Sequence, residues 1–148
     1  MNINSKVRKT AYRKEGNMDE CRSEGERKIK GFLEEQKIDY LYEHPLCIKD
    51  KNGLLRIWYP DFTLPDYSIL IEFFGFSGEQ YQKSVDDKKE AYKNSKISMI
   101  PVYPKTFEKK WKDYLIYSIY DVLGQKKIKF DEVYNQFKGL EKKIEEPF

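Results

Sequence analysis

The stretch YPDFTLPDYSILIEFFG, from Tyr59 to Gly75, places Asp61 and Glu72 inside what otherwise reads as a hairpin of two buried strands. Strand interiors disfavour carboxylates, and unpaired buried charge is costly. Centring the turn on Asp66-Tyr67 sets Pro65 opposite Ser68 and Leu64 opposite Ile69. Counting outward, Asp61 then faces Glu72. Directly opposed residues of an antiparallel pair have Cβ atoms about 4.5–5.5 Å apart on one face. Like charges so placed repel, whereas two converging carboxylates suit a hard divalent cation such as Mg2+. A slip of one residue in register puts the acids on opposite faces.

Around this hairpin the chain reads as one mixed sheet flanked by helices, in the order α-β-β-β-α-β-α-α. A helix starts near Ser23, with Glu26 at the capping-box position, and runs to about Lys37. Tyr40 to Ile48 reads as a strand, and Asn52-Gly53 marks a hairpin turn. Leu54 to Leu64 and Ile69 to Phe74 follow as strands, the latter apolar on both faces as a central strand is. The pattern then predicts a helix over Glu79–Asn94 and a strand over Ile97–Tyr103. Two C-terminal helices complete it, Thr106 to Leu123, closed by Gly124, and Asp131 to about Ile144. Residues 1–19 read as a flexible basic arm and 20–148 as one domain, with its C-terminal helices from about 106.

Two helical charges fall on apolar faces. Glu26 lies at i−3 from Ile29 and i−7 from Leu33. Lys88 lies at i+7, i+3 and i−4 from Tyr81, Val85 and Tyr92, roughly 40° from the stripe centre at about 100° per residue. A lysine there is usually a snorkelling residue at the stripe margin; the alternative is that it points across to Glu72. Lys89, roughly 60° off on the other side, is the reserve.

These residues resemble the PD-(D/E)XK nuclease superfamily, the restriction-endonuclease-like fold. Pro60-Asp61 is similar to its PD element and Glu72 to its acidic residue. The helix bearing Ser23-Glu24-Gly25-Glu26 is similar to the family's N-terminal helix. The resemblance spans about Ser23 to Tyr103, over the family's α-β-β-β-α-β core. It departs at Phe74, where the family's lysine stands. Several branches move that cation onto the following helix, in a pattern that resembles Ile71-Glu72-Phe73-Phe74-Gly75, Tyr81, and Lys88 four residues before Tyr92.

The resemblance implies a Mg2+- or Mn2+-dependent endonuclease that hydrolyses phosphodiester bonds in DNA. It implies catalytic roles for Glu26, Asp61, Glu72 and Lys88. The metal would be held by Asp61, Glu72 and the backbone carbonyl of Phe73, with Glu26 acting through water or on a second ion. A restriction, homing, repair or junction role stays open. So does a catalytically inactive nuclease fold that binds DNA or another partner, favoured by Phe74. A third reading makes Glu72–Lys88 a buried ion pair in an interaction protein.

Composition fits a soluble globular protein. The chain has 148 residues, 36% charged and 39% apolar, enough for one domain with a core. A net charge of +3 and a pI near 8.6 announce no strong field toward nucleic acid but are compatible with one. Phosphate contacts are expected from the basic arm (Lys6, Arg8, Lys9, Arg13, Lys14), from Lys49, Lys51 and Arg56, and from Lys105, Lys109, Lys110 and Lys112. Trp58 and Tyr59 could stack on a base, although core packing is the commoner role. Cys21 and Cys47 match no zinc or redox spacing. No apolar run approaches a membrane span, and the N-terminus lacks a secretory apolar segment. The expected setting is cytoplasmic, with a homodimer through the C-terminal helices if both strands are cut.

Overall fold

The computed structural model of the chain describes residues 21–145, apart from the side chains of 137 and 140–145. The basic arm, residues 1–19, lies outside them. The protein is mixed α/β. Ser23 caps helix α1 (Glu24–Glu35), its side chain accepting from the Glu26 backbone N–H. Strands β1 (Leu41–Tyr42), β4 (Phe62–Leu64), β5 (Ile69–Phe73) and β6 (Ser98–Val102) form a sheet in the order β1-β4-β5-β6. Only β5 and β6 run parallel, joined through helix α2 (Glu79–Asn94). Strands β2 (Leu46–Lys49) and β3 (Leu55–Trp58) form a separate hairpin. A 3-10 turn (Pro104–Glu108) leads into helix α3 (Trp111–Glu145).

Alternation along β5 divides the core. Ile69 and Ile71 face a cluster with Ile29, Phe32 and Leu33 of α1, Phe62 and Leu64 of β4, and Leu115 and Ile119 of α3. Leu70 faces the other way, toward Ile48, Ala91 and Tyr92. Thus α1 and α3 cover one face, while α2 and the β2–β3 hairpin cover the other. Glu72, two residues beyond Leu70, points to the α2 side because strand side chains repeat every second residue.

The expected register at the decisive hairpin is the one adopted: Leu64 opposes Ile69, Thr63 opposes Leu70 and Phe62 opposes Ile71. The first hairpin differs. Tyr40–Ile48 and Leu54–Leu64 are each broken in two, although Tyr42 opposes Phe62 and Leu46 opposes Trp58 in one continuous register. Three residues on each strand, Glu43–Pro45 and Tyr59–Asp61, form the break. Each trio contains a proline, which cannot donate to the ladder. Glu43 adopts φ 48°, a left-handed conformation that bends the strand. The Asn52-Gly53 turn is a longer loop than the two-residue form, Lys49 opposing Leu55, with Gly53 at φ 78°.

The two C-terminal helices are one. The helix passes through Gly124, a residue that weakens a helix by about 1 kcal/mol relative to Ala but does not stop it. Just beyond, Lys126 Nζ donates to the carbonyls of Tyr67 (2.7 Å) and Ser68 (2.8 Å), which ties the helix to the β4–β5 turn. No helix among the described residues is long and apolar enough to cross a membrane.

One close approach sets the position of α1. A Cβ on Gly25 would lie 2.5 Å from Phe73 Cζ, and one on Gly75 would lie 2.7 Å from Phe73 Cε1. The ring is also packed on Phe107, with centroids 5.8 Å apart. Gly25→Ala is therefore expected to destabilise the protein by about 2 kcal/mol, because overpacking outweighs the gain in helix propensity. Urea unfolding would show this, and adding Phe73→Leu should recover most of the loss. A neutral or stabilising Gly25→Ala would mean that α1 does not rest on Phe73.

Candidate functional site

Asp61 sits where the hairpin breaks, just outside β4, and Glu72 sits opposite it near the end of β5. There side chains replace the backbone ladder. The Asp61 N–H donates to Glu72 Oε1 at 3.1 Å, and the Phe73 N–H donates to Asp61 Oδ2 at 2.7 Å. These reciprocal bonds hold two carboxylates together that would otherwise separate. Burial pushes the Asp61 pKa up to about 8, with the negative charge of Glu72 as the next cause. Burial also raises the Glu72 pKa, against the pull of Lys88.

The cation comes from α2. Lys88 Nζ lies 2.5 Å from Glu72 Oε2, its side chain 32% exposed where that of Glu72 is 2%. Tyr92, one turn further, donates from its hydroxyl to Glu72 Oε1 at 3.5 Å. Phe74 is buried beneath them, with Lys88 Nζ 5.9 Å from its ring centroid. The chain thus puts an aromatic platform where the resemblance asks for a lysine, and the lysine arrives over it from the helix. Lys89 instead hydrogen-bonds the Tyr103 hydroxyl and lies over that ring.

Glu26 reaches the same place from the other side of the sheet. It is buried, and its two oxygens are held separately: Ser23 Oγ donates to Oε2 (2.7 Å) and Tyr42 Oη donates to Oε1 (2.9 Å). Burial raises the Tyr42 pKa, assisted by the charges of Glu26 and Glu43. Across the strand break the Glu43 N–H donates to the Asp61 carbonyl at 3.0 Å, and its carboxylate pairs with Arg22 Nε at 3.2 Å.

Above these groups opens a cavity of about 760 Å³ lined by Glu26, Asp61, Phe73 and Lys88 among others. Trp58, Tyr59, Phe76 and Tyr81 form its aromatic wall. Trp58 also packs edge-on against Tyr92, with centroids 5.6 Å apart, so the ring serves both core and cavity. Among the described residues, no group of three or more His, Cys, Asp or Glu side chains is arranged to hold a metal ion. The donor chemistry still fits a hard ion. Mg2+ binds through one or two carboxylates and completes its shell with water, and Asp61 on the cavity lining and Glu72 buried directly behind it offer such a pair.

The site residues expected from sequence therefore converge, with Lys88 rather than Lys89 on Glu72. Among the described residues, the expected phosphate contacts do not line this cavity. Lys51 pairs with Asp87 at 3.2 Å, Arg56 pairs with Asp50 at 3.0 Å, and Lys49 and Lys105 stand exposed elsewhere. Sequence reasoning passed over Arg22, Tyr42, Glu43 and the hydroxyl of Tyr92. Counting the first hairpin outward from Asn52-Gly53 as a two-residue turn sets Glu43 opposite Phe62, a misleading signal; the longer loop, with Lys49 opposite Leu55, sets it opposite Asp61. Arg22 had no signal, because its role depends on where α1 packs. Comparison with protein-family models, curated proteins and solved structures returned no match.

Proposed function

We propose that the protein is a metal-dependent endonuclease of restriction-endonuclease-like fold that hydrolyses phosphodiester bonds in DNA. One observation carries this reading: Asp61 beside β4 and Lys88 of α2 line one cavity, and both bond to Glu72 of β5, buried behind them. Asp61 and Glu72, with the backbone carbonyl of Phe73, would hold Mg2+ or Mn2+, and Glu26 would assist through water or at a second ion. When bound, the ion supplies Lewis acidity at the scissile phosphate and lowers the pKa of a coordinated water. Lys88 stabilises negative charge developing on the phosphate from a position already set by Glu72 and Phe74. The reciprocal Asp61–Glu72–Phe73 bonds keep the carboxylates in place before substrate arrives, so little reorganisation remains at the chemical step.

The test is incubation of plasmid, single-stranded and branched DNA with Mg2+ or with EDTA. Cleavage is expected with Mg2+ alone. No cleavage of any of these substrates under either condition would count against the reading. A second reading, an inactive nuclease fold that binds DNA or another partner, draws on the full engagement of Glu72 by Lys88, Tyr92 and the Asp61 N–H. Calorimetry separates the two, because heat of Mg2+ binding that disappears in Asp61→Ala belongs to the first alone.

A further inference from the structure

Arg22 stands directly before the Ser23 cap and lines the cavity with Asp61 and Lys88. Its side chain is 60% exposed, yet its partner Glu43 is only 7% exposed. A surface ion pair usually joins two solvated groups and holds neither firmly. Here one end is buried, and a buried carboxylate keeps its cation because losing it strands the charge. Glu43 is itself fixed: its backbone is in the left-handed region, and its N–H is bonded to the carbonyl of Asp61. Glu43 thus grips Asp61 with its main chain and Arg22 with its side chain. The guanidinium is thereby referenced to the acids across one residue.

We propose that Arg22, aimed by Glu43, takes a DNA backbone phosphate next to the scissile one. This rests on the nuclease reading of the cavity. The guanidinium is a rigid planar fork, and a carboxylate at Nε occupies one edge while another edge keeps N–H groups for a second oxyanion. Charge points the same way. Of the cations lining the cavity among the described residues, Arg22 and Lys88, the latter is committed to Glu72, and the carboxylates around it repel a phosphodiester. Arg22 is the group that offsets that repulsion at the rim. A lysine at this position could not hold Glu43 and a phosphate in two fixed directions.

The test reads binding of a labelled DNA oligonucleotide by fluorescence anisotropy, with Ca2+ replacing Mg2+ and NaCl varied from about 50 to about 200 mM. Arg22→Ala is expected to weaken binding about tenfold at the lower salt and to reduce the slope of log K against log[NaCl] by about 0.9, one phosphate contact. Arg22→Lys should recover part of the slope but little of the affinity. Glu43→Gln discriminates most sharply, since removing an acid near DNA tightens binding by simple electrostatics, whereas losing the anchor of Arg22 weakens it. Thermal melts of each variant confirm folding, and the exposed position of Arg22 makes Arg22→Ala the safeguard if Glu43→Gln unfolds. Arg22→Ala with wild-type affinity and slope, in a protein that binds and cuts DNA, overturns this assignment and leaves the nuclease reading intact. Tighter binding by a folded Glu43→Gln overturns it as well. A wild type that neither binds nor cuts DNA overturns both.

Discussion

Asp61→Asn is expected to lower Mg2+-dependent DNA cleavage by about 10³-fold or more while leaving the protein folded. The loss follows from removing a charged oxygen donor from the ion's site, where Lewis-acid stabilisation is worth several kcal/mol. The fold survives because an amide oxygen can still accept the Phe73 N–H, the bond that Asp61 Oδ2 makes at 2.7 Å. In EDTA the same variant should be more stable than wild type at alkaline pH. The pKa of Asp61 is raised in the folded protein from its ordinary 3.8 to about 8, so the folded state favours the neutral acid. That contribution is complete below about pH 4 and is lost progressively as pH climbs to about 8. Asp61→Asn carries no such titration, and its advantage at pH 8 is expected to be on the order of 5 kcal/mol. Denaturant unfolding at pH 5, 6.5 and 8 measures it. An advantage that does not grow with pH would show that Asp61 is not buried beside Glu72 as described, and undiminished cleavage would remove Asp61 from the chemistry.

Lys88→Met should be the most damaging change outside the main core. Glu72 would keep its place in β5 with its cation gone, and breaking a buried pair from one side costs about 3 kcal/mol or more. The cost should rise with pH, because burial already favours the protonated form of Glu72 and alkaline conditions force the charge upon it. Combining Lys88→Met with Glu72→Gln should restore most of the stability, since no charge is then stranded. Cleavage should stay absent in both proteins. Chemical denaturation of the two variants separates the effects. A single variant as stable as wild type would mean that Glu72 is supported by Tyr92 and the Asp61 N–H alone. Full cleavage by Lys88→Met would move the catalytic cation elsewhere, with Lys89, now on Tyr103, the next to examine.

Much of this site could be read from the chain because its determinants are local. The hairpin register follows from the turn at Asp66-Tyr67, which fixes which residues oppose one another on both sides of it. The bounds of α2 and the face carrying Lys88 follow from helical periodicity, and the start of α1 from the Ser23 cap. The C-terminal region departs from its local pattern for an equally physical reason. Gly124 and the weak apolar pattern around it favour an ending, but the ending is a marginal local preference of about 1 kcal/mol. Contacts made elsewhere outweigh it, including the hold of Lys126 on the β4–β5 turn.

By itself, then, the sequence determined that two acids oppose each other across a hairpin and that a lysine lies on the apolar face of the next helix. Only the tertiary structure decided how the groups on either side of the sheet come to one cavity. The bend at Glu43–Pro45 and Tyr59–Asp61 takes the Asp61 N–H out of the β4–β5 ladder and gives it to the Glu72 side chain. The close seat of α1 on Phe73 brings Glu26 and Arg22 to the same opening. The difference lies in range. Turns and periodicities act over a few neighbouring residues, whereas Tyr42 stands 16 residues from Glu26 and 20 from Arg22 and meets them only after the core has packed.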